Sequence, residues 1–146
     1  MNAKEILERK GYDVATITPD KTIKDAMSEL IGKKVGSLVV VDSGDTVVGI
    51  ITERDIFRLG YRENCRILDI RVSDVMTKDV IIALPDDDHD YLRNLITENR
   101  IRHLPVMDQG KLLGLISIGD VLRTASAEMH VTVRFLKDYI SGAYPR

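Results

Sequence analysis

Two stretches of the chain set out the same kinds of side chain in the same order: Gly49-Ile50-Ile51-Thr52-Glu53-Arg54-Asp55 and Gly114-Leu115-Ile116-Ser117-Ile118-Gly119-Asp120. In each, a glycine precedes two apolar residues, a hydroxyl follows, and a carboxylate comes three residues later. Where a strand ends and a helix starts, that hydroxyl sits at the helix N-cap, beside free backbone N–H groups and a partial positive charge, well placed to touch a phosphate. A carboxylate one turn on can accept two hydrogen bonds from the vicinal hydroxyls of a ribose. The glycine lets a second backbone or a flat ring approach closely. These are parts for a nucleotide. A plain structural reading competes: a Thr or Ser cap with Asp at the third helical position is a capping-box variant, common in proteins that hold no ligand. One copy alone favours the cap; two copies at equivalent places move the balance toward binding.

The elements that must position these residues are themselves repeated. Pro19 and Asp20 align with Pro85 and Asp86, and Leu38, Val40 and Asp42 with Leu104, Val106 and Asp108, all at an offset of 66. Past the next turn the offset becomes 65, so that Gly49, Ile51, Asp55 and Arg58 meet Gly114, Ile116, Asp120 and Arg123. The lost residue falls where Ser43-Gly44-Asp45 faces Gln109-Gly110, a glycine-containing hairpin turn that absorbs a deletion at little cost. Each copy reads as β-α-β-β-α. A short extended stretch (14–18 and 80–84) ends at a Pro-Asp pair. Thr22 and Asp25 predict a capping box, and Ile23, Ala26, Met27, Leu30 and Ile31 trace one apolar helical face, part of which Leu92, Leu95 and Ile96 keep in the second copy. Two β-rich runs then form a hairpin, 38–41 with 47–51 and 104–107 with 112–116. A second helix starts at Thr52 or Ser117 and ends near Leu59 or Thr124.

A unit of roughly 45 residues is too small to bury a stable core by itself. The expected fold class is therefore α/β in the α+β sense, a pseudo-symmetric tandem of two such units sharing one core. The predicted divisions are a first repeat over 4–60, a polar connector over 61–72, a second repeat over 73–125, and a C-terminal helix and tail over 126–146. Residues 73–76 read as a short helical lead-in to the second copy, matched by 4–7 before the first. Val131, Phe135, Leu136 and Tyr139 have the spacing of a helix with a face to bury, on the pair or on a partner subunit.

Composition bounds the remaining possibilities. The 146 residues are 44% hydrophobic and 30% charged, the balance of a folded, soluble chain. Its 21 Lys+Arg against 23 Asp+Glu leave a net charge of -2, so no global basic field exists to hold a polyanion, and nucleic acid is disfavoured as main partner. With no Trp and scattered Phe and Tyr, the stacking platforms of an RNA binder are missing. Cys65 stands alone, which excludes an internal disulfide and a cysteine-built metal cluster. No apolar run approaches the roughly 20 residues of a membrane span, and residues 1–10 are charged and amphipathic; the expectation is a cytoplasmic protein that does not enter a membrane. Asp86, Asp87, Asp88 and Asp90 fit the dipole of the helix they precede better than a metal ion, so no obligatory metal is expected. His89 and His130 read as solvated surface residues. His103 has no strong nucleophile with a spaced base and orienting acid near it, and the protein is not expected to be an enzyme.

The doubled motif, with the strands "SLVVVD" and "HLPVMD" ahead of it, resembles a tandem pair of CBS domains, the Bateman module named after cystathionine β-synthase. The resemblance spans about Lys4 to Arg123, and "FLKDYISG" and "IRHLPV...GLISIGDV" are similar to stand-alone bacterial two-repeat proteins with organellar relatives in plants. It implies two pseudo-symmetric clefts, each drawing residues from both repeats, for an adenine nucleotide such as AMP, ADP, ATP or NAD(H). Carried over, Asp55 would hold a ribose with Thr52 near ribose or phosphate, and Asp120 and Ser117 would match them in the other cleft. Thr16, Ile17, Gly36 and Ser37 would line the adenine pocket opposite Ser117 and Asp120, with Ile82 the counterpart of Thr16. Arg102 and His103 would reach phosphate, and Arg54 is a further candidate. Gly36 and Ser37 replace that basic pair in the first copy, so the two clefts are expected to differ. The implied role is non-catalytic: a homodimer that senses energy or redox state and modulates an unidentified partner protein. The alternative is a ligand-independent interaction or dimerisation module.

Overall fold

The computed structural model describes residues 1–124 together with Arg134 and Lys137. The C-terminal helix expected over 126–146, and His130 within it, otherwise lie outside the described residues. Helix α1 (Ala3–Lys10) starts under a full capping box, in which Asn2 Oδ1 accepts from the Glu5 N–H and Glu5 Oε2 accepts from the Asn2 N–H, both at 2.9 Å. Strand β1 (Thr16–Ile17), helix α2 (Ile23–Lys33), strands β2 (Ser37–Val41) and β3 (Val47–Thr52) and helix α3 (Glu53–Arg62) follow. After a 3-10 turn at Val72–Asp74 come helix α4 (His89–Glu98), strands β4 (His103–Asp108) and β5 (Lys111–Ser117) and helix α5 (Ile118–Arg123). The chain is thus a mixed α+β fold with two small sheets.

In the first sheet β2 lies between β1, to which it is parallel, and β3, to which it is antiparallel. In the second, β4 and β5 pair antiparallel, and the counterpart of β1 shrinks to one parallel bridge from Ala83 to Val106. The stretch predicted to be extended over 80–84 stops there because the Leu84 N–H turns away to Asp87 Oδ2 at 2.7 Å. Both hairpins shift register at the same place, Val40/Val41 and Val106/Met107. The shorter second turn needs two left-handed residues, Gln109 (φ 50°) and Gly110 (φ 78°), the two-residue turn that suits strand twist. On α2, Ile23, Ala26 and Leu30 are buried, but Ile31, predicted on that face, is 75% exposed.

The apolar residues gather into two clusters rather than the one shared core expected, and each takes in the segment that leads into the other repeat. The first holds Leu38, Val40 and Ile51 with Ile67 and Val72, and Val75 and Met76 pack against it. The connector is therefore less polar in role than its sequence reads. The second holds Leu92, Leu104, Ile116 and Val121 together with Ala3, Ile6 and Leu7 of α1. Each lead-in segment docks on the other repeat. The backbone repeats this exchange: the Ala3 and Lys4 N–H groups donate to Asp87 O (2.9 Å) and Pro85 O (3.0 Å), and the Val72 and Ser73 N–H groups donate to Lys21 O (2.8 Å) and Pro19 O (3.1 Å).

The motif glycines make the exchange possible. A Cβ on Gly114 would lie 2.7 Å from Leu7 Cδ2, and one on Gly49 would lie 2.6 Å from Met76 Sδ and 2.9 Å from Thr77 O. Of the two uses the sequence offered for this glycine, close approach of a second chain segment is the one built here.

Candidate functional site

Both strand-to-helix junctions are closed by the same capping box. Thr52 Oγ1 accepts from the Asp55 N–H at 3.3 Å and donates to Asp55 Oδ2 at 3.1 Å, which also accepts the Thr52 N–H at 2.9 Å. Ser117 and Asp120 repeat the pattern at 3.2, 2.9 and 2.8 Å. The structural reading of the motif is realised twice, so function depends on what else each carboxylate meets.

There the two copies part. Asp55 Oδ1 has no hydrogen-bond partner among the described residues, and Asp55 lines a cleft of about 710 Å³ that both repeats share. Asp120 is only 3% exposed; its Oδ2 accepts from Lys10 Nζ at 2.5 Å and its Oδ1 from the Arg123 guanidinium. Burial alone pushes the Asp120 carboxyl up, but the Lys10 hydrogen bond, the Ser117 backbone N–H and the Lys10 charge outweigh it, leaving the pKa below the ordinary aspartate value.

The cleft takes Gly36, Thr52, Arg54 and Asp55 from the first repeat and Arg102, His103 and Ser117 from the second. Seven residues selected by sequence therefore meet at one place, although the family resemblance had set Gly36 and Ser117 in the other cleft, with Asp120. Arg58, Asp79 and Arg100 join them unforeseen. Arg100 holds a left-handed conformation (φ 53°) just past α4, as Lys34 (φ 55°) does past α2, so the repeat offset could have flagged it. Four arginines and His103 face Glu53, Asp55 and Asp79, a mainly basic lining able to hold phosphate.

His103 is half-buried with its ring over Gly36, where a Cβ would come within 3.4 Å of Cε1. The missing side chain at Gly36 makes room for this imidazole. Burial, then the charges of Lys10 and Arg102, lower the His103 pKa against the opposing pull of Glu53 and Asp120.

The other selected residues sit elsewhere. Thr16 is half-buried on β1 outside the cleft lining, and Ile17 turns into the first cluster, where packing against the α2 side of the sheet claims its side chain. Ile82 is 41% exposed and outside the lining, which takes Val80 and Ile81 instead. Ser37 is 1% exposed, and its Oγ has no hydrogen-bond partner. His89 is not a solvated surface residue: Nε2 lies 2.8 Å from Val121 O and ties α4 to α5. Of the acidic run, Asp88 caps α4 through the Tyr91 N–H at 2.8 Å. No group of three metal-ligating side chains comes together among the described residues.

Two interlocked copies of one β/α unit, with a cleft between them lined from both, define a tandem-repeat module. The family model for the CBS domain matches residues 3–61 and 72–127, and the chain belongs to the CBS-domain family. It is 37% identical over 131 residues to a mitochondrial CBS domain-containing protein of Arabidopsis thaliana, covering 87% of this chain and 64% of that protein. This chain thus spans less than two thirds of that relative's length. Among solved structures, a CBS-domain containing protein from Agrobacterium tumefaciens superposes with a TM-score of 0.82 at 40% identity, over 84% of this chain and 98% of that one. A CBS domain pair in complex with 5-methylthioadenosine and S-adenosyl-L-methionine superposes with a TM-score of 0.73 at 27% identity, over 84% of this chain and 94% of that one.

Proposed function

We propose that the protein is a non-catalytic regulatory module that binds an adenine nucleotide in the cleft between its repeats and reports energy or redox state to a partner protein. The observation that carries this reading is the cleft itself: about 710 Å³, within the usual size range of small-molecule sites, with the Asp55 carboxylate on one wall and Arg102 and His103 on the other. In this reading Asp55 Oδ1 accepts from a ribose hydroxyl while Arg54, Arg100 and Arg102 hold phosphate. The adenosyl ligands of the related CBS pair support an adenosine-type ligand. Ligand contacts drawn from both repeats would shift their relative packing, which is how occupancy would reach a partner.

Thermal unfolding with AMP, ADP, ATP and NADH tests the reading. A ligand selective for the folded chain stabilises it by about 2.7 kcal/mol at a hundredfold excess over Kd. No shift with any of them would favour the second reading, an interaction or dimerisation module, for which Ile31, Phe57 and Tyr61, at 75%, 80% and 87% exposure, are the supporting observation. A homodimer through that face, and a cytoplasmic location in keeping with a lone, exposed Cys65, belong to the same proposal. No helix among the described residues is long and apolar enough to cross a membrane.

A further inference from the structure

The two motif carboxylates differ in their neighbours: Asp120 pairs with Lys10 and Arg123, while Asp55 has no ion pair among the described residues, not even with Arg58, the counterpart of Arg123. Leu7 fills the notch over Gly114 as Met76 fills the one over Gly49, and the Ala3 and Lys4 backbone bonds match those of Val72 and Ser73. The lead-ins therefore correspond at an offset of 69 as far as Leu7 and Met76; beyond them the backbones part, α1 running on to Lys10 while the second segment leaves its 3-10 turn and pairs Thr77 with Ile50. Only the first lead-in therefore brings a lysine to a motif carboxylate. Asp79 lines the open cleft beside Asp55. Lys10 instead reaches from the last turn of α1 to Asp120 Oδ2 at 2.5 Å and Leu115 O at 2.6 Å, while Arg123 holds the other carboxylate oxygen.

We infer that Lys10 is an internal latch that occupies the ribose-binding carboxylate of the second half-site, so that the protein takes up nucleotide in the Asp55 cleft alone. The inference rests on the nucleotide reading given above and fixes its stoichiometry. With both Asp120 oxygens engaged by cations and the residue almost wholly buried, a ribose hydroxyl has no acceptor to reach until Lys10 leaves. No cation hydrogen-bonds Asp55 among the described residues, and Asp79 rather than a lysine lines the cleft with it.

Isothermal titration of the full chain with AMP is the test. The wild type should take up one AMP per chain, lost in Asp55→Asn and kept in Asp120→Asn. Lys10→Met, which keeps the aliphatic stem, should raise the number of sites from one to two, and adding Asp120→Asn should return it to one. Lys10→Ala is an independent check that also removes the aliphatic stem: it too should give two sites. Two sites in the wild type, or one site in a folded Lys10→Met, would overturn the latch while leaving the Asp55 cleft standing. No uptake by the wild type but one AMP in Lys10→Met would overturn the Asp55 reading and uphold the latch. No uptake by either would overturn both.

Discussion

The exchange of lead-in segments can be tested as a pair of shapes. Leu7 is fully buried and its two methyl carbons would lie 2.7 and 2.8 Å from a Cβ placed on Gly114. Leu7→Ala removes these methyls and leaves a cavity, a loss of about 2–5 kcal/mol. Gly114→Ala alone forces a methyl into occupied space, a loss of about 1–3 kcal/mol. Together the two changes relieve each other, because the new methyl enters the volume that Leu7 gave up. The double variant should therefore lose at least about 1 kcal/mol less than the two single losses added together, where contacting residues typically couple by 0.5–3 kcal/mol. For a chain of this length that coupling is a recovery of roughly 3–4 °C in Tm. Urea unfolding of the four proteins, followed by far-ultraviolet circular dichroism, reads it directly. If the two losses add to within about 0.5 kcal/mol, α1 does not dock over Gly114, and the crossed assembly of the two cores is wrong.

Three further predictions concern the cap of α4 and two titrating groups, His103 and Asp120. Asp88→Ala removes the acceptor for the Tyr91 N–H and should cost about 1 kcal/mol, read as a lower urea midpoint with no change in slope. His103 has a lowered folded-state pKa, so the unfolded chain binds its proton first; stability should be full above about pH 6.5 and fall as pH drops toward the folded value. In His103→Gln that limb of a urea-midpoint series against pH should flatten. Asp120, also lowered, stabilises above about pH 3.9, and its contribution should vanish as pH falls through its lower folded value, a loss that Asp120→Asn would remove from the profile.

The repeat was legible because it is written in residue types: an apolar alternation, two Pro-Asp pairs and two hydroxyl-to-carboxylate spacings. Both capping boxes were readable from those patterns, whereas the place of Arg102 and His103 beside Thr52 and Asp55 came from the family resemblance. The fate of Asp120 was not, since its partner Lys10 lies 110 residues away and nothing local to Ser117 announces it. Ile17 was misjudged for a related reason: strand alternation says that one side chain of Thr16-Ile17 faces the core, but a two-residue strand does not say which. Ile31 satisfied the helical spacing and still stayed exposed, because periodicity marks a face and the packed neighbours decide how wide that face is.

The crossing of α1 onto the second repeat has a consequence for biosynthesis. This helix leaves the ribosome before either sheet, yet Leu104, Ile116 and Val121, which shelter Ile6 and Leu7, are made only after the whole first repeat. Until then its apolar stripe must wait in solvent or on a chaperone, and closing so long a loop is a slow, late event. A ribosome that stalls at the connector would release a half that owns one lid and lacks the box it fits.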